Sequence, residues 1–339
     1  MTEGYRAATD GVALVRRDDL RFWRFTGRDP VRMLDGVVSG RMPGRPLREG
    51  RVEIGEATRQ TILTPKGRMV ADLRLAREEG TGDEPDRLWA VVPTAATEGL
   101  RAHLTRYLPP RFARVEEPEE IEILGVIGPE SDALISRVLL GLAVETETLS
   151  ALPDGGTVMV RDDGIPGEDA AEPMRLVRSG ATGIPAWNVI GSAPDIAAAG
   201  RALEVAGAVP ATAEDWTVLR VEAGTPAYGP DMDEGTIPTE AGLEQVAIDH
   251  GKGCYTGQEV IVRIRDRGHV NRRLRRVLLG DIDPPANGTE LFVAGRERPA
   301  AVLRSSVRSP RFGQTIGLAY VRREVWAGEG EPPAFALHG

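Results

Sequence analysis

The chain has 339 residues, 41% of them hydrophobic, 27% charged and 5% aromatic, and a formal net charge of −9. The length suits two or three domains and the composition is that of an ordinary soluble protein. The net charge argues against general affinity for nucleic acid or anionic membrane, while leaving room for a local basic patch. No apolar run nears the length that spans a bilayer. The first residues carry no apolar h-region, so no signal peptide is expected and the cytoplasm is the expected location. The single cysteine, Cys254, cannot close an internal disulfide or furnish a zinc site alone. Among 42 basic residues only Lys66 and Lys252 are lysines, each beside a glycine. Arginine-rich codon usage explains that bias, yet a lysine offers a compact, titratable charge that arginine's planar fork cannot copy.

Val12 to Val15 and Leu20 to Phe25 read as strands. Asp29-Pro30 begins a helix, with Asp as N-cap and Pro at the first helical position, and Val31, Leu34, Val37 and Val38 face the core. Gln60 to Leu63 and Met69 to Leu75 form a hairpin across Pro65-Lys66-Gly67. Thr94 is expected to cap a helix whose Leu100, Leu104 and Leu108 lie on one side, stopping at Pro109-Pro110. Ile121 to Ile127 is a strand, with a helix after Gly128-Pro129. Val158 to Arg161 and Ala186 to Ile190 are strands, and Asp195 to Val205 is a helix. Gly80 to Asp86 and Asp162 to Glu172 read as surface loops. Thr212 to Asp215 reads as a capping box opening a helix with Trp216, Leu219 and Arg220, and Thr256 to Glu259 as a second before Val260, Ile261 and Ile264. From Leu274 the pattern changes to short strands, Leu274 to Leu279, Glu290 to Val293, Ala300 to Arg304 and Ile316 to Val321, predicting a small antiparallel barrel.

Lys252-Gly-Cys-Tyr-Thr-Gly-Gln-Glu259 is the most informative segment. With Thr256 as N-cap, Cys254 would stand just before a helix N-terminus, near a cationic Lys252, and both effects would lower its thiol pKa. The plain alternative is a small, half-buried cysteine beside a capped helix. His250 and His269 with one thiol are too few for a stable metal site, and no metal is expected; without a Cys-x-x-Cys pair, a cluster held by this chain alone is not expected either.

Leu219 to Gly229 (LRVEAGTPAYG) and Ile237 to Leu243 (IPTEAGL) resemble the central signature of the glycine-cleavage T-protein (aminomethyltransferase) superfamily. KGCYTGQE at Lys252 to Glu259 resembles the hallmark of its YgfZ branch, which includes the mitochondrial iron–sulfur assembly factor. The hairpin Leu63 to Leu75 and the strand Gly317 to Arg322 resemble further family segments, so the likeness covers nearly the whole chain. The resemblance implies an α+β, T-protein-like folate-binding fold: two mixed α/β domains around a central cavity, plus a C-terminal small antiparallel β-barrel. Residues 1–270 would form the folate-binding region as two intertwined subdomains, and residues 271–339 the barrel. The implied ligand is tetrahydrofolate or a one-carbon or polyglutamylated derivative.

Two departures separate this chain from the transferase. Paired acids become Ala71-Asp72, and a folate-gripping Thr-Gly-Glu becomes Thr182-Gly183-Ile184, whose apolar side chain cannot accept pterin N–H bonds. By resemblance, Asp72 lies near the folate, or is a strand-end surface acid. Arg220, beside Glu222, would grip a folate carboxylate bidentately, or sit on a helix surface. Lys252 and Cys254 are the reactive candidates, with Tyr255, Gln258 and Glu259 lining the loop; Tyr255 equally suits core packing and Glu259 a capping role. Arg263, Arg265, Arg267, Arg272, Arg273, Arg275 and Arg276 are either a solvated surface or a landing site for a polyglutamate tail or partner protein.

The resemblance points to a monomeric folate-binding accessory protein supporting iron–sulfur cluster assembly or repair, including clusters of tRNA-modifying enzymes, with iron–sulfur assembly or client proteins as partners. The alternative is transfer of an aminomethyl or other one-carbon unit to tetrahydrofolate. A third reading, RNA binding through the arginine stretch, lacks aromatic residues for stacking and runs against the net charge.

Overall fold

The computed structural model describes residues 1–80, 82, 84–161, 172–294, 296–326 and 335–337. Most of the loop expected at Asp162 to Glu172 lies outside the described residues. Strand β4 (Val52–Leu63), 12 residues long, organises the first 270 residues. Its first half pairs with β9 (Gly156–Val160), Val52 opposite Val160, and its second half with β5 (Met69–Glu78), Thr61 opposite Asp72. Beyond β9 follow β10 (Arg175–Arg178), β11 (Ala186–Ser192), β8 (Ile121–Ile127), β1 (Ala13–Arg16) and β12 (Val209–Pro210). Beyond β5 follow β6 (Arg87–Pro93), β2 (Leu20–Thr26) and β7 (Arg114–Glu116), while β3 (Leu47–Glu49) pairs with β4 at the side. β1 and β2 are neighbours in sequence yet belong to opposite halves, so the two mixed halves are threaded through each other.

The helices cover the sheet where their apolar stripes fit. α3 (Thr97–Tyr107) lays Leu100 and Leu104 on a core with Leu73, Leu75 and Trp23. Each such side chain contributes about 1.5–3 kcal/mol by leaving water. α4 (Ser131–Val138), α5 (Thr146–Ala151) and α6 (Ala193–Val205) supply Ile135, Leu149 and Leu203 to a second core around Trp187. α1 (Glu3–Asp10), capped by Thr2, and α7 (Ala213–Ala223) enclose a third around Trp216. The Thr212 box is present in both halves, with Gly224 left-handed at the end.

Local expectations fail where tertiary contacts decide. α2 (Pro30–Asp35) stops before Val37 and Val38, which are buried by the turn that follows, Val38 bridging Ile62. Thr94 caps nothing; it opens a 3-10 turn and its hydroxyl donates to Asp18 O. α6 starts at Ala193, two residues before the expected Asp195, because Ser192 caps it.

The C-terminal layer is an antiparallel sheet of β13 (Arg272–Gly280), β16 (Gln314–Arg322), β15 (Ala301–Ser309), β14 (Glu290–Val293) and β17 (Phe335–Leu337), in that order. Irregular pairing at Leu278/Gly280 and Leu303/Ser305 bends it, and its two ends approach one another. Leu291, Leu303, Ala319 and Val321 fill its inner face. α8 (Gln258–Arg267) precedes it and α9 (Arg323–Trp326) follows β16. No helix among the described residues is long and apolar enough to cross a membrane.

Candidate functional site

The β4–β5 hairpin puts Arg59, Thr61, Asp72 and Arg74 on one face, because Thr61 stands opposite Asp72 and Arg59 opposite Arg74. Asp72 is buried in mid-strand, not at a strand end. Its carboxylate accepts from Arg59 Nε at 2.9 Å and Nη2 at 2.6 Å, a bidentate fork. Burial pulls the Arg59 pKa down, but the facing Asp72 charge more than offsets it and the net shift is upward. The phenol of Tyr228 lies close enough that burial, and after it the charges of Glu234, Asp233 and Asp72, raise its pKa. Arg74 donates to Asp154 at 2.5 Å. Ala71 points the other way, fully buried among Ile62, Leu73 and Leu75. A carboxylate at position 71 would therefore enter an apolar core, which this hairpin cannot accommodate without a partner.

Arg220 is not a helix-surface residue, and its guanidinium is already engaged. Nη1 donates to Asp231 at 2.6 Å and Nη2 to Ser305 on β15 at 3.0 Å, while Ser305 donates to the other Asp231 oxygen at 2.6 Å. This closed triangle fastens α7 to the C-terminal sheet. Glu222 makes a second fastening: it accepts from Tyr5 Oη at 2.8 Å, from Ser309 Oγ and from Arg311 N at 3.1 Å. Burial and the Glu222 carboxylate raise the Tyr5 pKa. The structure thus places both α7 residues between layers, bonded to partners other than Asp72.

The loop before α8 also departs from expectation. The N-cap is Gly257, left-handed at φ 84°, with no side-chain cap bond, so Thr256 does not form the expected box. Gly257 is there because a Cβ would lie 2.5 Å from Thr64 O and 3.3 Å from Gly67 Cα. Gly67 in turn has no room for a Cβ beside Val260. The two lysine-bearing segments are therefore packed on each other. Gly257→Ala should cost about 2 kcal/mol in urea unfolding, from strain plus clash; a loss under 0.5 kcal/mol would refute this packing.

Lys252 donates to Val38 O and Gly40 O, each at 2.9 Å, and pairs with Asp35 at 3.0 Å. Its ammonium is engaged by the turn after α2 rather than turned to the thiol. Cys254 itself is exposed. Tyr255 is buried in the main core, its phenol pushed up to about 12 by burial first. Glu259 is exposed and bonds Arg263 at 3.2 Å, an ordinary i,i+4 helix pair.

The arginine stretch does not form one landing strip. Arg265 pairs with Asp266, Arg272 with Glu240 and Arg273 with Glu244, and Arg276 donates to Glu222 O at 2.5 Å. An opening of about 1030 Å³ lies between the hairpin end at Arg68, the turn at Ile237 and Glu240, and strands β13, β15 and β16. His250 and His269 line a smaller space of about 310 Å³ with Glu244 and Arg273. In the Thr182-Gly183-Ile184 segment, Thr182 donates to Ile184 O at 3.1 Å and Ile184 packs on the Trp216 cluster, its side chain offering no acceptor.

Arg59, Asp231, Tyr228 and Tyr320 were not picked out in the sequence. Arg59 was not readable from the turn: a regular hairpin with Leu63 opposite Met69 would set Gln60 opposite Asp72, and only the register shift between Ile62 and Leu63 brings Arg59 to Asp72's diagonal. Nothing local signals Asp231, whose partner is 11 residues away in sequence.

A hairpin-centred mixed sheet closed by a small antiparallel layer is the fold of an aminomethyltransferase already solved. Glycine cleavage system aminomethyltransferase T from Bartonella henselae superposes with a TM-score of 0.72, covering 99% of this chain and 88% of that one at 17% identity. The GCVT N-terminal domain family matches residues 1–250, and the chain belongs to that family. The aminomethyltransferase of Rubrobacter xylanophilus is 30% identical over 90% of this chain and 74% of its own length. That of Synechococcus elongatus is 27% identical over 84% and 69%, and the mitochondrial enzyme of Gallus gallus 26% over 88% and 71%.

Proposed function

We propose that this protein binds tetrahydrofolate, or a one-carbon or polyglutamylated derivative, and acts on a one-carbon unit beside Asp72. The carrying observation is the buried Asp72 carboxylate on the hairpin's polar face, held by Arg59 and neighboured by Tyr228. Each carboxylate oxygen keeps a lone pair beyond its Arg59 bond, so Asp72 still has capacity to accept a pterin N–H. The residues suit the ligand in part: Asp72 supplies an acceptor and Ile184 does not. The names of the curated relatives favour aminomethyl transfer as the use of that folate.

A second reading rests on the YgfZ-like segment. Cys254 is exposed on a loop anchored by Lys252 and Gly257, which suits presentation of a thiol to a partner. Under that reading the protein supports iron–sulfur cluster assembly or repair, tRNA-modifying enzymes included, and Lys252 positions the loop.

Tetrahydrofolate titration of the wild type, Asp72→Asn and Cys254→Ala tests the shared claim. The wild type and Cys254→Ala should bind alike, and Asp72→Asn about tenfold more weakly, through loss of a charge-assisted bond. Absence of binding to the wild type would remove both readings.

A further inference from the structure

The 1030 Å³ opening carries features that the folate reading leaves unused. Tyr320 on β16 lines it and is only 3% exposed, yet its hydroxyl has no hydrogen-bond partner of sound geometry. The Thr236 hydroxyl interacts with it without hydrogen-bond geometry, while accepting from the amide of Asp233 and donating to that residue's carboxylate. A buried hydroxyl left unpaired is costly, and a ligand acceptor would recover that cost. Beside it, Arg272 and Arg322 are direct cross-strand partners. Like charges opposite one another destabilise a sheet. Glu240 neutralises Arg272 at 3.0 Å, and Arg272 also covers the Tyr320 ring at 4.4 Å. Arg322 is exposed and has no carboxylate partner among the described residues. Two strand positions along, Tyr320 shares its face, and so does Val302 opposite Tyr320 on β15. A second cation, Arg68, lines the same opening from the hairpin, and Ile237 adds apolar wall.

We infer that this cleft binds an acidic peptide segment of a partner protein, one carboxylate accepting from Tyr320 Oη and Arg322, and a second reaching Arg68. Charge complementarity carries the choice of occupant: Arg68, Arg272, Arg322 and Arg323 outnumber Glu240 and Glu324 in the lining, on a chain that is at −9 as a whole, so an acidic segment would be repelled elsewhere and drawn to this patch. The size and the apolar wall favour an extended chain over a compact anion, because cations from separate elements, Arg68 on the hairpin and Arg322 on β16, line the opening together with Ile237 and Val302. The inference is independent of the folate reading.

Fluorescence anisotropy of a labelled hexaglutamate peptide on the full chain at low ionic strength tests it. Binding should weaken steeply as salt rises. Arg322→Glu should weaken it at least tenfold, by replacing attraction with repulsion. Tyr320→Phe, which removes one hydroxyl and no packing, should weaken it by roughly threefold. Arg263→Glu on α8 should change nothing, and tetrahydrofolate affinity should be the same in all three variants. The inference is overturned if hexaglutamate does not bind below millimolar, if Arg322→Glu binds as the wild type, or if pyrophosphate competes as well as the peptide.

Discussion

Asp231→Ala is expected to lower stability by about 3–5 kcal/mol in urea unfolding, the largest loss for any single replacement proposed for this fold. Asp231 is fully buried and Arg220 nearly so, and the two meet at 2.6 Å. Removing the carboxylate strands a guanidinium in an interior that cannot solvate it. It also deprives Ser305 Oγ and the Ala227 amide, 2.9 Å from Asp231, of their acceptor. Because Arg220 belongs to α7 and Ser305 to β15, the loss falls on the junction between the C-terminal sheet and the rest. The C-terminal sheet should therefore become the first region to exchange its amides. Replacing both charges, Arg220→Met with Asp231→Leu, should recover much of the loss, since a buried ion pair is often no more stabilising than apolar side chains of similar volume. A loss below 1 kcal/mol in Asp231→Ala would show that the triangle does not hold these layers together.

The same triangle explains what the sequence could and could not disclose. Strands with a clear apolar run, such as Ile121–Ile127, and helices with a sharp start, such as the Thr212 box, were legible because their signals are local. The first half of β4 was not: Val52 to Glu56 alternates weakly around Gly55 and is a strand because β9 lies beside it. β10, four residues between two partners, was missed for the same reason. Asp72 and the glycine-rich loop were picked out by motif, but their surroundings were not. Arg220 looks from sequence like a free fork for a ligand, since Asp231 and Ser305 reach it only through the tertiary fold. Thr256 fits a capping pattern, yet the close approach of the hairpin at Thr64 demands a left-handed glycine one residue later. Lys252 was singled out as one of only two lysines, while its contacts with the turn after α2 show the lysine acting on backbone carbonyls rather than on the thiol.

Asp72→Asn separates the two uses of folate. If aminomethyl transfer is the reaction, formation of methylenetetrahydrofolate from an amine donor should fall by about 10²–10⁴-fold, the range for losing a positioned acid or base. The amide keeps the side chain's shape and one of the two acceptors that Arg59 uses, so the variant should fold with reduced stability, which thermal unfolding checks. Arg59→Met supplies the complementary change: the carboxylate remains and only its fork is lost. That variant should keep a measurable rate with a raised KM, since Arg59 orients the acid and the acid does the chemistry. Equal loss in both variants would mean that the intact ion pair, not the carboxylate, is what the hairpin needs. A wild type with no transfer at all, together with loss of iron–sulfur enzyme activity in cells carrying Cys254→Ala, would move the function to the exposed thiol. Asp72 would then be a folate acceptor with no proton to move, in keeping with a hairpin whose neighbouring position, Ala71, is turned into the core and has no place for a second acid.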